Sequence, residues 1–179
     1  MTSIFENLPV DAEALPKVES LTFHPIEKKY LRVSLISAAI FWVLVLVGAN
    51  SIAAFGDIEN RTLAFIIFNS SVILLAIANL TFIRASFKKK KYALRQRDII
   101  YTKGLWWSVR TSIPFNRIQH AELKQGPFER LYGLHSLKVF TAGGQSSDLV
   151  IPGLKEETAQ SIKDFILGKT TEDGSGSAD

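Results

Sequence analysis

The 179-residue sequence reads as a membrane α-helical hairpin of two spans, followed by a small, mainly-β module with one C-terminal α-helix. Two long stretches carry no charge, residues 33–55 (VSLISAAIFWVLVLVGANSIAAF) and 63–83 (LAFIIFNSSVILLAIANLTFI). After Lys91 the texture changes to short alternating stretches, with Gly and Pro turn signals every ~8–12 residues, as in small all-β modules. Residues 153–168 (GLKEETAQSIKDFILG) then repeat apolar residues at helical intervals.

The spans come first in the chain. Hydrophobic residues make up 47% of the sequence and charged ones 21%, and the apolar ones are concentrated rather than dispersed. Each uncharged stretch exceeds the ~18 residues that indicate a spanning helix. At ~1.5 Å per residue either crosses a ~30 Å hydrocarbon core with slight tilt. A charge at the helix centre would cost ~2.5–3.5 kcal/mol, which accounts for its absence. Lys28, Lys29 and Arg32 precede the first span, and Arg84, Lys88, Lys89, Lys90, Lys91, Arg95 and Arg97 follow or close the second. The connector, residues 56–62 (GDIENRT), has two acids and one base. By the positive-inside rule both termini and the β module face the cytoplasm. Lys28, Lys29, Arg32 and Lys88, Lys89, Lys90, Lys91 are therefore expected to contact the membrane surface, each lysine contributing ~1 kcal/mol near an anionic leaflet. Nucleic-acid binding or nuclear targeting is the competing reading of the lysine run; its place against an apolar span argues for a stop-transfer anchor and no nucleic-acid partner.

The polar residues within the spans, Asn50, Ser51, Asn69, Ser70, Ser71 and Asn79, are expected to hydrogen-bond between helices, at ~0.6–2 kcal/mol each. Ser34, Ser37, Ala38 and Ala39 permit close helix approach. A solute pathway is the alternative, but neither span has an ionisable residue to relay a proton or ion. Residues 1–30 read as an irregular cytosolic arm with Pro9, Pro16 and Pro25. The first apolar run lies too far in for a cleavable signal peptide. The hairpin is assigned to residues 31–86, the β module to 87–168 and a disordered tail to 169–179.

Within the β module, Gly104 and Gly143-Gly144 mark hairpin turns, and Pro114, Pro127 and Pro152 sit at strand boundaries. Trp106 and Trp107, read as strand residues, point to opposite faces: one into the core, the other to a membrane interface or protein contact. In the terminal helix Leu154, Thr158, Ile162, Phe165 and Ile166 share a face with Ala159 beside them. Glu156 and Glu157 suit the first turn, and Gly168 is the expected stop.

Little here supports catalysis. The chain has no cysteine, hence no disulfide, thiolate nucleophile or Cys-based zinc site. His24, His120 and His135 are its only histidines. Alternation puts His120 on one strand face with Ile118 and Glu122, and two candidate ligands do not make a zinc site. AGGQSS lacks the Lys-Ser/Thr ending of a phosphate loop. No catalytic residue, metal or cofactor is expected.

Short strands closed by one amphipathic helix suit a bent sheet with one end plugged, a pleckstrin-homology-like barrel among other options. Residues 113–134 (IPFNRIQHAELKQGPFERLYGL), then LKVFTAGG and IPGL, resemble the bacterial PH domain of the YdbS/YdbT type, formerly a domain of unknown function. The matching residues are Pro114, Arg117, Ile118, Gln119, Gln125, Gly126, Arg130, Gly133, Leu134, Thr141, Ala142, Gly143, Pro152 and Gly153. Glu129 and Tyr132 depart mildly from the pattern. Two spans followed by one such domain is similar to the YdbS-like layout. The resemblance implies a PH-like barrel or split barrel on the cytoplasmic side of a bacterial inner membrane, and a larger YdbT-like membrane protein as possible partner. It implies no known activity.

The loop QGPFERLYGL has two readings. In one, its aromatics plug the barrel and Arg130 hydrogen-bonds loop carbonyls. In the other, Arg130 and Arg117 anchor a peptide or lipid headgroup, since Arg binds carboxylate and phosphate bidentately. Arg117, Gln125, Arg130 and Tyr132 are the expected ligand or partner contacts. The leading functional expectation is a non-enzymatic, membrane-anchored scaffold or accessory subunit that binds a protein partner or self-associates. A module for anionic lipid at the inner leaflet and a subunit of an enzyme or transporter are the alternatives.

Overall fold

The computed structural model describes residues 21–55, 60–142 and 148–175. Its elements are β1 (His24–Pro25), α1 (Lys28–Phe55), α2 (Arg61–Phe87), β2 (Lys91–Leu94), β3 (Asp98–Lys103), β4 (Val109–Pro114), a 3-10 turn (Phe115–Arg117), β5 (Ile118–Lys124), α3 (Pro127–Leu131), β6 (Leu134–Thr141), β7 (Leu149–Lys155) and α4 (Glu156–Ser175). The uncharged runs form α1 and α2, because only a helix satisfies every backbone group of an isolated apolar segment internally. The two lie antiparallel. Trp42 Nε1 donates to Asn79 Oδ1 at 3.3 Å, and the Asn50 and Asn69 amides bond each other reciprocally at 3.1 Å. These are the expected contacts between helices. Ser51 and Ser71 instead donate to the carbonyls of Val47 and Ile67 on their own helices. The outer faces are uncovered, with Phe41 58%, Leu44 64% and Leu74 68% exposed. Both helices are long and apolar enough to cross a membrane.

The β module is the expected split barrel, built from two antiparallel sheets in the orders β1-β2-β3-β4 and β5-β6-β7. Alternate residues of the strands meet in one core, including Ile99, Tyr101, Phe115, Leu137, Val139 and Ile151. Helix α4 closes it with Ala159, Ile162 and Ile166, which recur at helical spacing and are buried. Leu154, assigned from sequence to the helix face, belongs to β7, and Phe165 lies at the rim of the face, 39% exposed.

Several boundaries differ from expectation. The arm is not irregular to residue 30. His24 and Pro25 pair with Tyr92 and Lys91 as an edge strand, where a proline's missing N–H is tolerated, and Ile26 is in the core. Helix α4 continues past Gly168 to Ser175, so the tail assigned to 169–179 is helical over most of its length. A glycine inside a helix costs only about 1 kcal/mol, and Thr170 Oγ1 donates to Ile166 O at 2.9 Å across that turn. Pro152 sits inside β7 rather than at its end, at a bulge: Leu137 pairs with Ile151 and His135 with Leu154, leaving two residues opposite Ser136. A second irregularity between Ile118 and His120 turns His120 outward, away from buried Ile118. The expected Gly143-Gly144 turn, most of the connector and most of the arm lie outside the described residues.

The tryptophans depart furthest. The β3–β4 ladder closes at Lys103↔Val109, so residues 104–108 form a loop, opened by Gly104 at φ 99°. Trp106 and Trp107 are both in this loop, 77% and 84% exposed. Neither enters the core.

Candidate functional site

The two helices join the β module almost without linkers. Strand β1 leads into α1 at Lys28, α2 ends at Phe87, and β2 starts at Lys91, paired to Pro25 of β1. Tyr30 and Phe87, from the two helix ends, pack on the barrel core. A strap reinforces this joint. Glu27 N–H donates to Gly153 O at 2.9 Å, and Glu27 pairs with Lys155 at 3.7 Å. Gly153 has φ +67°, and a Cβ there would lie 2.5 Å from Tyr30 Cβ. Only glycine permits that backbone conformation and that approach together. The helical hairpin is therefore joined to the module by packing and hydrogen bonds as well as by the chain itself.

Around the joint lies a cationic collar. Lys28, Lys29, Arg32, Lys88, Lys89 and Lys91 are exposed. Lys90 differs. It is half-buried with Nζ 5.1 Å from the Tyr30 ring centroid. Burial, and secondarily Lys103 nearby, hold its pKa below the usual lysine range. The run of four lysines is thus three surface cations and one that braces the joint through a cation–π contact.

Helix α3 borders the same joint. A cleft of about 300 Å³ separates Tyr30, Val33, Ser34 and Ser37 of α1 from residues 126–129. The α3 loop is organised by Glu129, whose carboxylate accepts from Gly126 N–H and Ser136 Oγ, each at 2.8 Å. Gln125 Nε2 donates to Leu134 O at 3.0 Å. So Gln125, not Arg130, secures the loop carbonyl. None of α3 is buried, so its apolar residues do not plug the barrel. Arg130 is exposed and Tyr132 half-exposed at the end of α3. Arg117 is exposed at the opposite end of β5, so the two arginines do not form one anchor. The sequence reading noted Glu129 only as a departure from the family pattern and missed its capping role, although its position three residues after Gly126 is where a carboxylate can bond a helix-entry N–H.

The end of the first sheet away from the helices carries a second feature. An open groove of about 830 Å³ is lined by Gln96, Arg97, Pro114, Phe115, Asn116, Phe165 and Lys169. Its rim is rigid. Asp98 is buried, bonded by Ser112 Oγ at 2.7 Å and by both Nε and the terminal guanidinium of Arg95, and those hydrogen bonds hold its carboxyl below the usual range. Phe115 N–H donates to Arg97 O at 2.9 Å, and Phe165 stacks edge-on against Phe115 at 5.7 Å. The groove sets Pro114 and the partly exposed Phe165 near the exposed Arg97 side chain. No sequence motif marks it, since its walls come from three separated segments.

Residues 31–170 match the family model described as the bacterial PH domain. The chain belongs to the bacterial PH domain family. The UPF0699 transmembrane protein YdbS of Bacillus subtilis (strain 168) is 32% identical over 85 residues, 46% of this chain and 52% of that protein. The match thus spans about half the length of that relative. A crystal structure of a DUF1696-family protein with a pleckstrin-homology domain, from Shewanella loihica PV-4, matches 45% of this chain and 70% of its own at 19% identity, with a TM-score of 0.36. The β module is the PH domain, the joint and collar form its helix-proximal end, and the groove forms its far end. The chain is a membrane-associated PH-domain protein.

Proposed function

We propose that the chain is a membrane-anchored interaction module, a scaffold or accessory subunit of a bacterial membrane protein complex. The hairpin crosses the plasma membrane with both ends on the cytoplasmic side. The distribution of basic residues supports this, because they flank the outer ends of both spans and the connector has one. The joint then fixes the PH domain beside the inner leaflet, with the far-end groove directed into the cytoplasm.

The observation that carries the reading is that groove. Arg97 suits an acidic side chain or terminal carboxylate, and the exposed faces of Pro114 and Phe165 suit an apolar neighbour. Its occupant is an acidic, apolar-containing segment of a membrane-protein partner, and a YdbT-like protein with several copies of the domain is the candidate the resemblance supplies. Confinement to one membrane raises the effective concentration of the partner, so modest affinity suffices. No catalytic step is assigned to the module.

The test is recovery of partners from native membranes in mild detergent. Wild-type protein should retain a membrane-protein partner or further copies of itself, and Arg97→Glu with Phe165→Ala should release it. Recovery of neither by the wild type, or undiminished recovery by the variant, would refute the groove's role.

A further inference from the structure

We infer that Trp106 and Trp107 insert into the lipid interface, as a contact with the bilayer separate from the two spans. Their loop lies at the helix-proximal end of the first sheet. Lys91, three residues beyond the C-cap Lys88 of α2, pairs with Thr102, and the next pair outward is Lys103 with Val109. Residues 104–108 therefore project from the end of the sheet where the hairpin enters it. Lys90, one residue before Lys91, has its Nζ 5.1 Å from the Tyr30 ring centroid, so the sheet end that carries the loop lies beside the joint.

The loop has the composition of an interfacial anchor. Two adjacent tryptophans are almost wholly exposed, and Val109 beside them is 45% exposed. Lys103 and Arg110 flank them, and both are exposed. Indole rings favour the headgroup level, where the apolar body meets acyl chain and the N–H meets water or carbonyl. Lysine and arginine on either side complement anionic headgroups. The loop turns tightly. Gly104 at φ +99° lies so close to Trp107 that a Cβ would come within 1.9 Å of its carbonyl oxygen, and Arg110 is held over the Phe23 ring at 5.9 Å. The occupant is the leaflet the helices leave, because the same two helices that place the loop also place the membrane.

This inference rests on α1 and α2 crossing the bilayer, and the test separates the two. The chain has three tryptophans, and the third, Trp42, lies within α1. Full-length protein is reconstituted into bilayers of phosphatidylethanolamine with phosphatidylglycerol. A Trp42→Phe variant reports the loop alone; a Trp106→Phe, Trp107→Phe variant reports the span alone. In the first, emission should be blue-shifted, quenched when brominated lipids replace ordinary ones, and protected from aqueous iodide. Red emission quenched by iodide and untouched by bromolipid would overturn the inference and leave the loop in water or on a protein partner. In the second, bromolipid should quench Trp42; if it does not, the spanning reading itself fails.

Discussion

At the residue scale, Gly153 and Asp98 carry the sharpest consequences. Gly153→Ala should destabilise the folded chain by roughly 2–4 kcal/mol, from left-handed backbone strain and overpacking against Tyr30. Chemical denaturation of the detergent-solubilised protein would measure it. Adding Tyr30→Gly, which removes the opposing Cβ as well as the ring, separates the causes: if the contact matters, Gly153→Ala costs less in that background than in the wild type, whereas backbone strain alone would cost the same in both. Asp98→Asn tests the groove rim. Arg95 is partly exposed, so solvent discounts the pair and a loss of about 1 kcal/mol is expected at neutral pH. The folded-state pKa of Asp98 is depressed, so its contribution is complete above the unfolded carboxyl value of ~3.9 and disappears as pH falls through the lower folded value. The stability gap between wild type and variant should therefore close in acid; a gap independent of pH would rule out the ion pair as its source. Sequence marked Gly153 as a family-pattern residue but not its partner, because the Tyr30 contact joins positions far apart in the chain.

At the element scale, the spans and the terminal helix were legible because burial and lipid exposure both leave a periodic or unbroken apolar record. The asparagines in the spans also read correctly as bonds between helices. Their weight is testable. Asn50→Leu should cost about 1 kcal/mol of hairpin stability, since Asn69 keeps its own-helix bond to Phe65 O at 2.9 Å. Asn50→Leu with Asn69→Leu should cost little more, and a double variant markedly worse than the single would show that the pair is not a unit. Helix–helix association in detergent micelles would report both. Strand assignments were less secure wherever a bulge or loop broke alternation. The tryptophans looked like strand residues because aromatic residues favour strands and LWWSVRTSIP carries no Gly or Pro between Gly104 and Pro114. His120 was misplaced because an extra residue in β5 reverses the face beyond Ile118. Neither irregularity has a composition of its own.

At the scale of the whole molecule, the lysine run and the first strand have to be understood together. Sequence identified the collar but treated the arm before it as a linker, since two residues of strand are too short to show a period. That strand decides the mechanics. With β1 and β2 paired and each continuous with a helix, the hairpin and the PH domain share a core, and tilting one must tilt the other. A flexible Gly-Ser insertion between Lys89 and Lys90 should break this coupling while leaving both parts folded. It separates Lys90 from α2 and frees β2 to move with the barrel, leaving the β1–α1 connection and the contacts of Glu27 and Tyr30 with β7 and the core. Spin labels at Lys138 on the barrel and Ala78 on α2 would give one narrow distance distribution in the wild type and a broad one in the insertion variant. A scaffold needs that narrow distribution, because a partner anchored in the same membrane meets the groove only if its height and direction are set. If the insertion broadened the distances yet left partner recovery unchanged, rigid presentation would be unnecessary and simple tethering would be enough. If it left the distances narrow, the strap through Glu27 and Gly153 would alone be sufficient to orient the domain.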